Sequence, residues 1–309
     1  MKKILGLGLL MILGLFVLVA CGSDEPDAVD EPNEAGTVIE DPTEEEDIIE
    51  LRIVAATVAA TNVLGELNVD LVGIPTTENP IPEQFQGLPE VGIAHTPDLE
   101  VVASLEPDLF ILDANFREAN EAILEEFGIN AFFFETHTFE AFLNSIRDLG
   151  VEIGRIEEAT ALIDSLENSI VEASVNRSDE GPRVAIIFGA GDSFMLESET
   201  SYLGDIASIM GAINIATELE GGLHAPRLPF SLEQILVADP DIVLRFAHGQ
   251  IEQTRAMFDQ MFDADPAFQT LTAVAEGRVY DLDPRVFGVS ANLQVAQAFR
   301  ELGIIFYGK

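Results

Sequence analysis

The sequence predicts an α/β protein made of two similar lobes that are joined by one long helix. Beyond Glu50, short apolar or β-branched runs alternate with amphipathic segments, which is typical of α/β folds. An amphipathic helix, a Pro-Asp turn and an apolar strand follow one another twice, around 105–110 and again around 238–243. Between these copies, apolar residues recur at helical spacing for about twenty residues. A single extended sheet would also fit the pattern.

The first lobe is predicted at 51–153, because strand-like and helix-like segments alternate there. Gly128 stands where a helix would stop, and apolar residues at helical spacing over 139–149 indicate a further helix. The predicted strands are 51–55, 71–73, 108–112 and 131–135, and the predicted helices are 58–67, 99–105 and 117–127.

A bridging helix is predicted at 154–177, and the alternation then resumes in a second lobe at 178–309. The predicted strands of this lobe are 183–188, 242–246 and 278–282, with a hairpin-like segment at 193–197. The predicted helices are 202–210, 231–237 and 292–306.

The amino terminus has the pattern of a lipoprotein signal peptide over residues 1–20. Lys2 and Lys3 precede an apolar run from Ile4 to Ala20, and the only cysteine of the chain, Cys21, follows directly. We expect Cys21 to carry several acyl chains, palmitate among them, because one chain holds a membrane weakly. The alternative is a plain transmembrane anchor, since 17 apolar residues are at the lower limit for spanning a bilayer.

Residues 21–50 are predicted to form an acidic, disordered tether behind the lipidated cysteine. From Gly22 to Glu50 there are 13 acidic residues and no lysine or arginine. The whole chain has a formal net charge of -40. Nucleic acid is excluded as a partner, because it is bound by basic surfaces. With lipidated Cys21 as its anchor, the protein is expected to be a monomer on the outer face of the cell membrane.

Two of the four histidines occupy comparable positions in the two lobes. His95 lies in a loop before a Thr-Pro-Asp helix start, so its ring is expected near a helix amino terminus. His248 follows a predicted parallel strand, and ligands of open α/β sheets bind at that end. The simpler alternative is that both are exposed loop residues without a role. His137 also follows a strand end, whereas His224 lies in a loop that suggests a surface position.

No motif of a nucleophilic or metallopeptidase active site occurs in the chain. There is no Gly-x-Ser-x-Gly, no Cys-His pair and no His-Glu-x-x-His. The Gly189-Ala190-Gly191 segment lacks the Lys-Ser/Thr ending of a phosphate-binding loop and is interpreted as a turn. We therefore expect a binding protein and not an enzyme.

At several places the sequence resembles the solute-binding lipoproteins of ABC importers for iron compounds. Within that family it is most similar to heme receptors of the iron-regulated surface determinant type. The similar segments are Arg52-Ile53-Val54 with Thr57-Val58-Ala59, Leu88-Pro89-Glu90-Val91-Gly92, Ser201-Tyr202-Leu203-Gly204-Asp205, Leu244-Arg245 with His248-Gly249, Val279-Tyr280-Asp281-Leu282, Phe287-Gly288 and Ala291-Asn292.

The resemblance implies a class III periplasmic-binding-protein-like fold, with two Rossmann-like lobes whose central sheets are mostly parallel and are joined by a single long helix. It also implies heme as the transported ligand, with His248 as one axial ligand of the iron. The most similar receptors have a methionine where this sequence has His95. We therefore expect two histidine ligands, and a lower reduction potential than with methionine.

The positions of strand ends and the resemblance together indicate residues that contact the heme. Propionates require cationic donors, for which the candidates are Arg227, Arg245 and Arg285. The other predicted cleft residues are Thr57, Val58, Ile74, Phe246, Phe287, Gly288 and Val289. The alternative for the apolar residues of this set is that they are ordinary core residues.

The resemblance further implies delivery of heme to a membrane permease and its ATPase, with possible upstream heme-donor proteins. Members of the family dock through one acidic residue on each lobe. The candidates are Glu83 or Glu90 on the first lobe and Glu218 or Glu220 on the second. Three alternatives remain: a receptor for a ferric siderophore or a corrinoid, a zinc or manganese receptor using His137 as a third ligand, and an enzyme that modifies heme.

Overall fold

Two larger β-sheets and one small two-stranded sheet organise residues 51–308, which are the part of the chain that the computed structural model describes. The predicted signal peptide, Cys21 and the tether at 21–50 lie outside the described residues, as does Lys309. Because the two sheets are distinct, the alternative of one extended sheet is wrong.

The first sheet is parallel and has the strand order β1-β4-β5. Next to β1, the segment predicted as a strand at 71–73 forms only an isolated bridge, in which the Ala55 N–H donates to the Gly73 carbonyl at 3.1 Å. In chain order this half contains β1 (Ile53–Ala55), α1 (Val58–Glu66), β2 (Gly92–Ile93), β3 (Thr96–Pro97), α2 (Leu99–Ser104), β4 (Leu109–Asp113), α3 (Arg117–Phe127), β5 (Ala131–Phe134) and α4 (Phe139–Glu152).

Local sequence signals set the ends of these helices. The Thr57 side chain accepts the Ala60 N–H at the start of α1, and the Asp98 carboxylate accepts two N–H groups at the start of α2. Gly128 ends α3 in the left-handed conformation with φ of 68°, as the sequence predicts. These capping signals explain why the observed helix ends agree closely with the predicted ones.

The bridging helix is α5 (Ile156–Ala173), which is shorter at both ends than the predicted range of 154–177. Gly154 has a φ of 69° and separates α4 from α5, so the helix cannot begin at that residue. At the other end, the Arg177 N–H donates to the Ser174 carbonyl in a turn. The helix packs against α4 and against α10, the last helix of the chain (Val295–Tyr307).

The second sheet has six strands in the order β11-β10-β6-β7-β9, with β8 also paired to β6. Strands β6, β8, β10 and β11 are parallel, and β7 is antiparallel to both of its neighbours. Before α10 this half contains β6 (Arg183–Ala190), β7 (Ser193–Glu197), α6 (Tyr202–Ile209), β8 (Ile213–Asn214), β9 (Arg227–Pro229), α7 (Leu232–Ala238), β10 (Ile242–Ala247), α8 (Ile251–Ala264), α9 (Thr272–Ala275) and β11 (Val279–Asp281).

A continuous hydrophobic cluster connects the two halves. It contains residues of both sheets together with residues of α4, α5, α6 and α10. Phe139 at the start of α4 meets Phe299 of α10 edge to face, with ring centroids 5.2 Å apart. The shared burial therefore holds the two lobes together. Within 51–308, no helix has both the length and the apolar character needed to cross a bilayer.

Candidate functional site

Segments that follow the parallel strands of the two sheets meet at the junction between the lobes. The carbonyl of Thr136, two residues beyond β5, accepts the N–H of Ala291, which lies in the segment after β11, at 2.7 Å. Segments beyond the carboxyl ends of the two sheets are therefore in contact. Because ligands of parallel α/β sheets bind at this edge, it is the candidate site.

His95 lies at the tip of a tight hairpin in the first lobe. Ala94 and His95 are the two turn residues between β2 and β3, so His95 lies in a turn three residues before the Asp98 cap of α2. Gly92 has a φ of 91°, which favours glycine, and supports the hairpin. The exposed His95 ring lies 6.4 Å from the ring of Phe116, just beyond the carboxyl end of β4.

His248 directly follows β10 in the second lobe, as the sequence predicts. Its backbone N–H donates to the Gly189 carbonyl at 2.8 Å, which continues the pairing of β10 with β6. Its ring stacks on Phe188 at a centroid distance of 6.0 Å and lies 6.4 Å from Phe246.

Desolvation by these neighbours lowers the pKa of His248, and the nearby positive charge of Arg227 lowers that pKa further. The residue as a whole is nevertheless exposed. The neutral imidazole that this environment favours keeps a nitrogen lone pair free for a metal ion.

Of the three arginines proposed as anion donors, Arg227 lies next to His248. The Arg227 Nε donates to Glu197 Oε1 at 2.8 Å, and the guanidinium lies 4.1 Å above the centroid of the Phe188 ring. Glu197 is 2% exposed, so this ion pair is half-buried between β7 and β9. Glu197, Phe188 and Phe116 were not predicted as site residues, because no motif in the sequence distinguishes them.

The other two arginines already have carboxylate partners. The buried Arg245 guanidinium donates to Asp281 at 2.8 and 2.6 Å and to Asp259 at 2.9 Å. Arg285 is 88% exposed and pairs with Asp283, two residues away. Both arginines therefore have an anionic partner in the chain, and their propionate role stays a prediction.

The predicted apolar wall divides into core and accessible residues. Ile74, Phe246 and Phe287 are buried in the cluster that connects the lobes, so they support the site from behind. Thr57 is also buried and caps α1. Val58 and Gly288 are half-buried and Val289 is 41% exposed, which leaves these three accessible to a ligand.

The remaining histidines do not join His95 and His248 in a metal site. His137 Nδ1 lies 3.7 Å from Glu135 Oε2 and lines a cavity of about 550 Å³ beside β5 and α4, which neither of the other two lines. Between residues 51 and 308, no three His, Cys, Asp or Glu side chains come together to hold a metal ion. His224 is an exposed turn residue.

The four candidate docking glutamates are all on the surface. Glu83, Glu90 and Glu220 are exposed, whereas Glu218 forms two hydrogen bonds with the Arg183 guanidinium at 2.6 and 3.1 Å. The Arg183 contact lowers the pKa of Glu218. Glu220 is therefore the less restrained carboxylate of the second lobe.

Comparison with known proteins relates the chain to solute-binding proteins. The pattern of the periplasmic binding protein family matches residues 53–286. The high-affinity heme uptake system protein IsdE of Staphylococcus aureus (strain MRSA252) is 29% identical over 261 residues, which are 84% of this chain and 88% of that protein.

Two solved structures have the same fold. An ABC transporter substrate-binding protein from Listeria monocytogenes EGD-e superposes with a TM-score of 0.76 at 31% identity, covering 84% of this chain and 100% of that one. S. aureus IsdE complexed with heme superposes with a TM-score of 0.74 at 28% identity, covering 84% and 99%. The predicted fold class and family resemblance are confirmed: the chain belongs to the periplasmic binding protein family.

Proposed function

We propose that this protein is the substrate-binding component of an ABC importer and binds heme in the cleft between its lobes, with His95 and His248 as the axial ligands of the iron. The observation that carries the proposal is that each lobe presents one histidine beside a phenylalanine ring. His95 lies beside Phe116, and His248 stacks on Phe188. The similarity to a relative solved with heme supports it. The protein transfers heme unchanged and is not an enzyme.

The residues around the two histidines suit a flat, apolar disc that carries two acidic groups. Phe116 and Phe188 lie beside the ligands, and Val58 and Val289 remain accessible at the strand ends. Arg227 supplies positive charge for a propionate. Two imidazole ligands favour a lower reduction potential of the iron than a histidine and a methionine do.

Delivery requires that the protein stay near its permease. We infer that Cys21 is lipidated and that residues 21–50 tether a monomeric binding unit to the outer face of the cell membrane. Docking to the permease and its ATPase would use Glu83 or Glu90 on the first lobe. On the second lobe it would use Glu220 in preference to Glu218, which Arg183 already engages. Upstream donor proteins would supply the heme.

Titration of the purified protein with hemin, followed by absorption spectroscopy, tests the proposal. The wild type should bind one hemin and give a sharp low-spin spectrum, because two imidazoles produce a strong axial field. His95→Ala and His248→Ala should each change this spectrum toward the high-spin form. His224→Ala removes an imidazole from an exposed turn and is the matched control.

The same titration separates the alternatives. A ferric siderophore or corrinoid that binds more tightly than hemin, with no change in His95→Ala or His248→Ala, would show that the cargo is a different chelate. Zinc or manganese binding that is lost in His137→Ala would support the bare-metal receptor. Conversion of bound heme on reduction would indicate an enzyme.

A further inference from the structure

Arg227 is a cation held in a fixed position beside the proposed heme ligand, in a chain with a formal net charge of -40. An anionic cargo is repelled by most of such a surface, so the placement of a single positive group matters. Its ion-pair partner is a buried glutamate, which is costly to bury unless it is paired.

We propose that Glu197 is a positioning residue that fixes the Arg227 guanidinium beside His248, so that its two Nη groups bind a carboxylate of the cargo. The pair would select macrocycles with ionised carboxylates over macrocycles whose side groups are neutral esters or amides. This inference rests on the proposed function and specifies the class of ligand that the site accepts.

Strand register directs the pair toward the site. Glu197 and Arg227 are opposite each other on the antiparallel strands β7 and β9, so their side chains share one face of the sheet. Their neighbours Leu196 and Leu228 point to the opposite face and pack in the hydrophobic cluster beneath α8. Phe188, over which the guanidinium lies, carries the His248 ring as well.

The hydrogen bonds leave the outer part of the guanidinium available. Glu197 accepts from Nε, and no hydrogen bond from either Nη of Arg227 is found within residues 51–308. The Phe188 ring supports the guanidinium plane from one side, at 4.1 Å. The planar fork is therefore oriented before the cargo arrives, which lowers the entropic cost of binding.

Only one of the two carboxylate oxygens of Glu197 contacts Arg227. Its Oε2 atom is buried and has no hydrogen-bond partner among the described residues, so only Oε1 is used to hold Arg227. Removing the carboxylate would release the Nε contact and let the long arginine side chain sample other rotamers. A glutamine at this position would keep an oxygen acceptor for the Nε–H group.

The test compares hemin with hemin dimethyl ester, which has the same iron and ring but no ionised carboxylates. The wild type should bind hemin at least about tenfold more tightly than the ester, since charge-assisted hydrogen bonds to guanidinium are among the stronger ones. Glu197→Ala should lose most of this preference, and Glu197→Gln should retain it. Both should keep the axial-ligand spectrum with hemin.

Two further variants control for misfolding and for general charge effects. The double variant Glu197→Gln/Arg227→Gln leaves no buried unpaired charge and should bind hemin and ester equally. Arg183→Gln removes an arginine from the exposed pair with Glu218 and should not change the preference.

The possible outcomes separate this inference from the proposed function. Equal binding of hemin and ester by the wild type, or full preference in the double variant, would overturn the positioning role while the low-spin spectrum still supports heme binding. Equal loss of preference in Glu197→Gln and Glu197→Ala would also overturn it. Absence of the low-spin spectrum in the wild type would overturn both proposals.

Discussion

At the scale of single residues, arginines of the second lobe serve different purposes. Arg245 lies in β10 and is enclosed by Asp281, Asp259 and the rings of Phe258 and Phe262, whose centroids are 5.5 and 5.3 Å from its guanidinium carbon. It therefore fastens α8 and β11 to the sheet. Arg227 faces the other way, toward the candidate site.

Replacing Arg245 with glutamine should weaken the fold without changing ligand selectivity. Loss of the guanidinium leaves two carboxylates without their partner, which should lower the free energy of unfolding by about 1–3 kcal/mol. Urea unfolding measures this change, and the hemin spectrum should stay the same.

Arg285→Gln is the control, because that side chain is exposed and pairs only with a neighbour in the chain. Its stability should match the wild type. Weaker hemin binding in Arg245→Gln at unchanged stability would show that Arg245 contacts the cargo after all.

His248 could be predicted as a candidate ligand because the end of an apolar strand can be recognised in the sequence. An apolar run that ends in His248 places this residue at the carboxyl edge of a parallel sheet. Which arginine remains available could not be predicted, because it depends on contacts between distant parts of the chain. Arg245 meets Asp281, 36 residues away, and Arg227 meets Glu197, 30 residues away.

At the scale of elements, most helices and strands were predictable and one long helix was not. The predicted helix at 117–127 and the hairpin strand at 193–197 have the observed bounds. Helix α8 was missed because only Thr254, Phe258 and Phe262 are buried, about one residue per turn, in an otherwise polar segment. Such a narrow stripe is recognised as helical only when the sheet that it covers is known.

Phe258 should contribute much of the stability that α8 provides. Its ring is fully buried, 4.9 Å from the ring of Phe194, and it also lies against the backbone of Gly189, where a side chain would collide with it. Phe258→Ala should therefore lower the free energy of unfolding by ~3–5 kcal/mol.

Chemical denaturation of Phe258→Ala measures this loss, with Phe127→Ala as the matched control. Phe127 is a phenylalanine at the end of α3 that is 48% exposed, so its loss should cost much less. Similar losses in the two variants would mean that α8 is not anchored through Phe258.

At the scale of the whole molecule, the two-lobe arrangement was predictable but the contacts between lobes were not. The repeated helix, turn and strand pattern predicts two central sheets, and residues 51–308 contain two, besides the small β2-β3 hairpin. The contact that joins α6 to α4, however, links residues 66 positions apart: Asp205 Oδ2 accepts the N–H of Phe139 at 2.7 Å. Each partner alone is an ordinary residue in the first turn of its helix, behind the capping residues Thr138 and Ser201.

This contact should make the stability of the protein depend on pH. Burial raises the pKa of Asp205, and the Glu140 carboxylate raises it further, while the Phe139 N–H and His137 partly oppose this. The folded chain therefore binds this proton more tightly than the unfolded chain does. The contribution of Asp205 to the free energy of unfolding is therefore fully present below the ordinary aspartate pKa of about 3.9. It is lost as the pH rises through the raised pKa of the folded state.

Asp205→Asn isolates this effect, because an amide oxygen can still accept the Phe139 N–H but carries no charge. The variant should gain stability relative to the wild type between about pH 4 and about pH 7, where only the wild type must ionise a buried carboxyl. Urea unfolding at both pH values gives the difference in the free energy of unfolding between variant and wild type.

The control is Asp148→Asn, at an exposed carboxylate of α4. It shows how much of the difference comes from removing one negative charge from this acidic chain. The prediction is contradicted if Asp205→Asn changes the free energy of unfolding by the same amount at both pH values. In that case the Asp205 carboxyl group ionises at little cost, because water reaches it at the junction between the lobes.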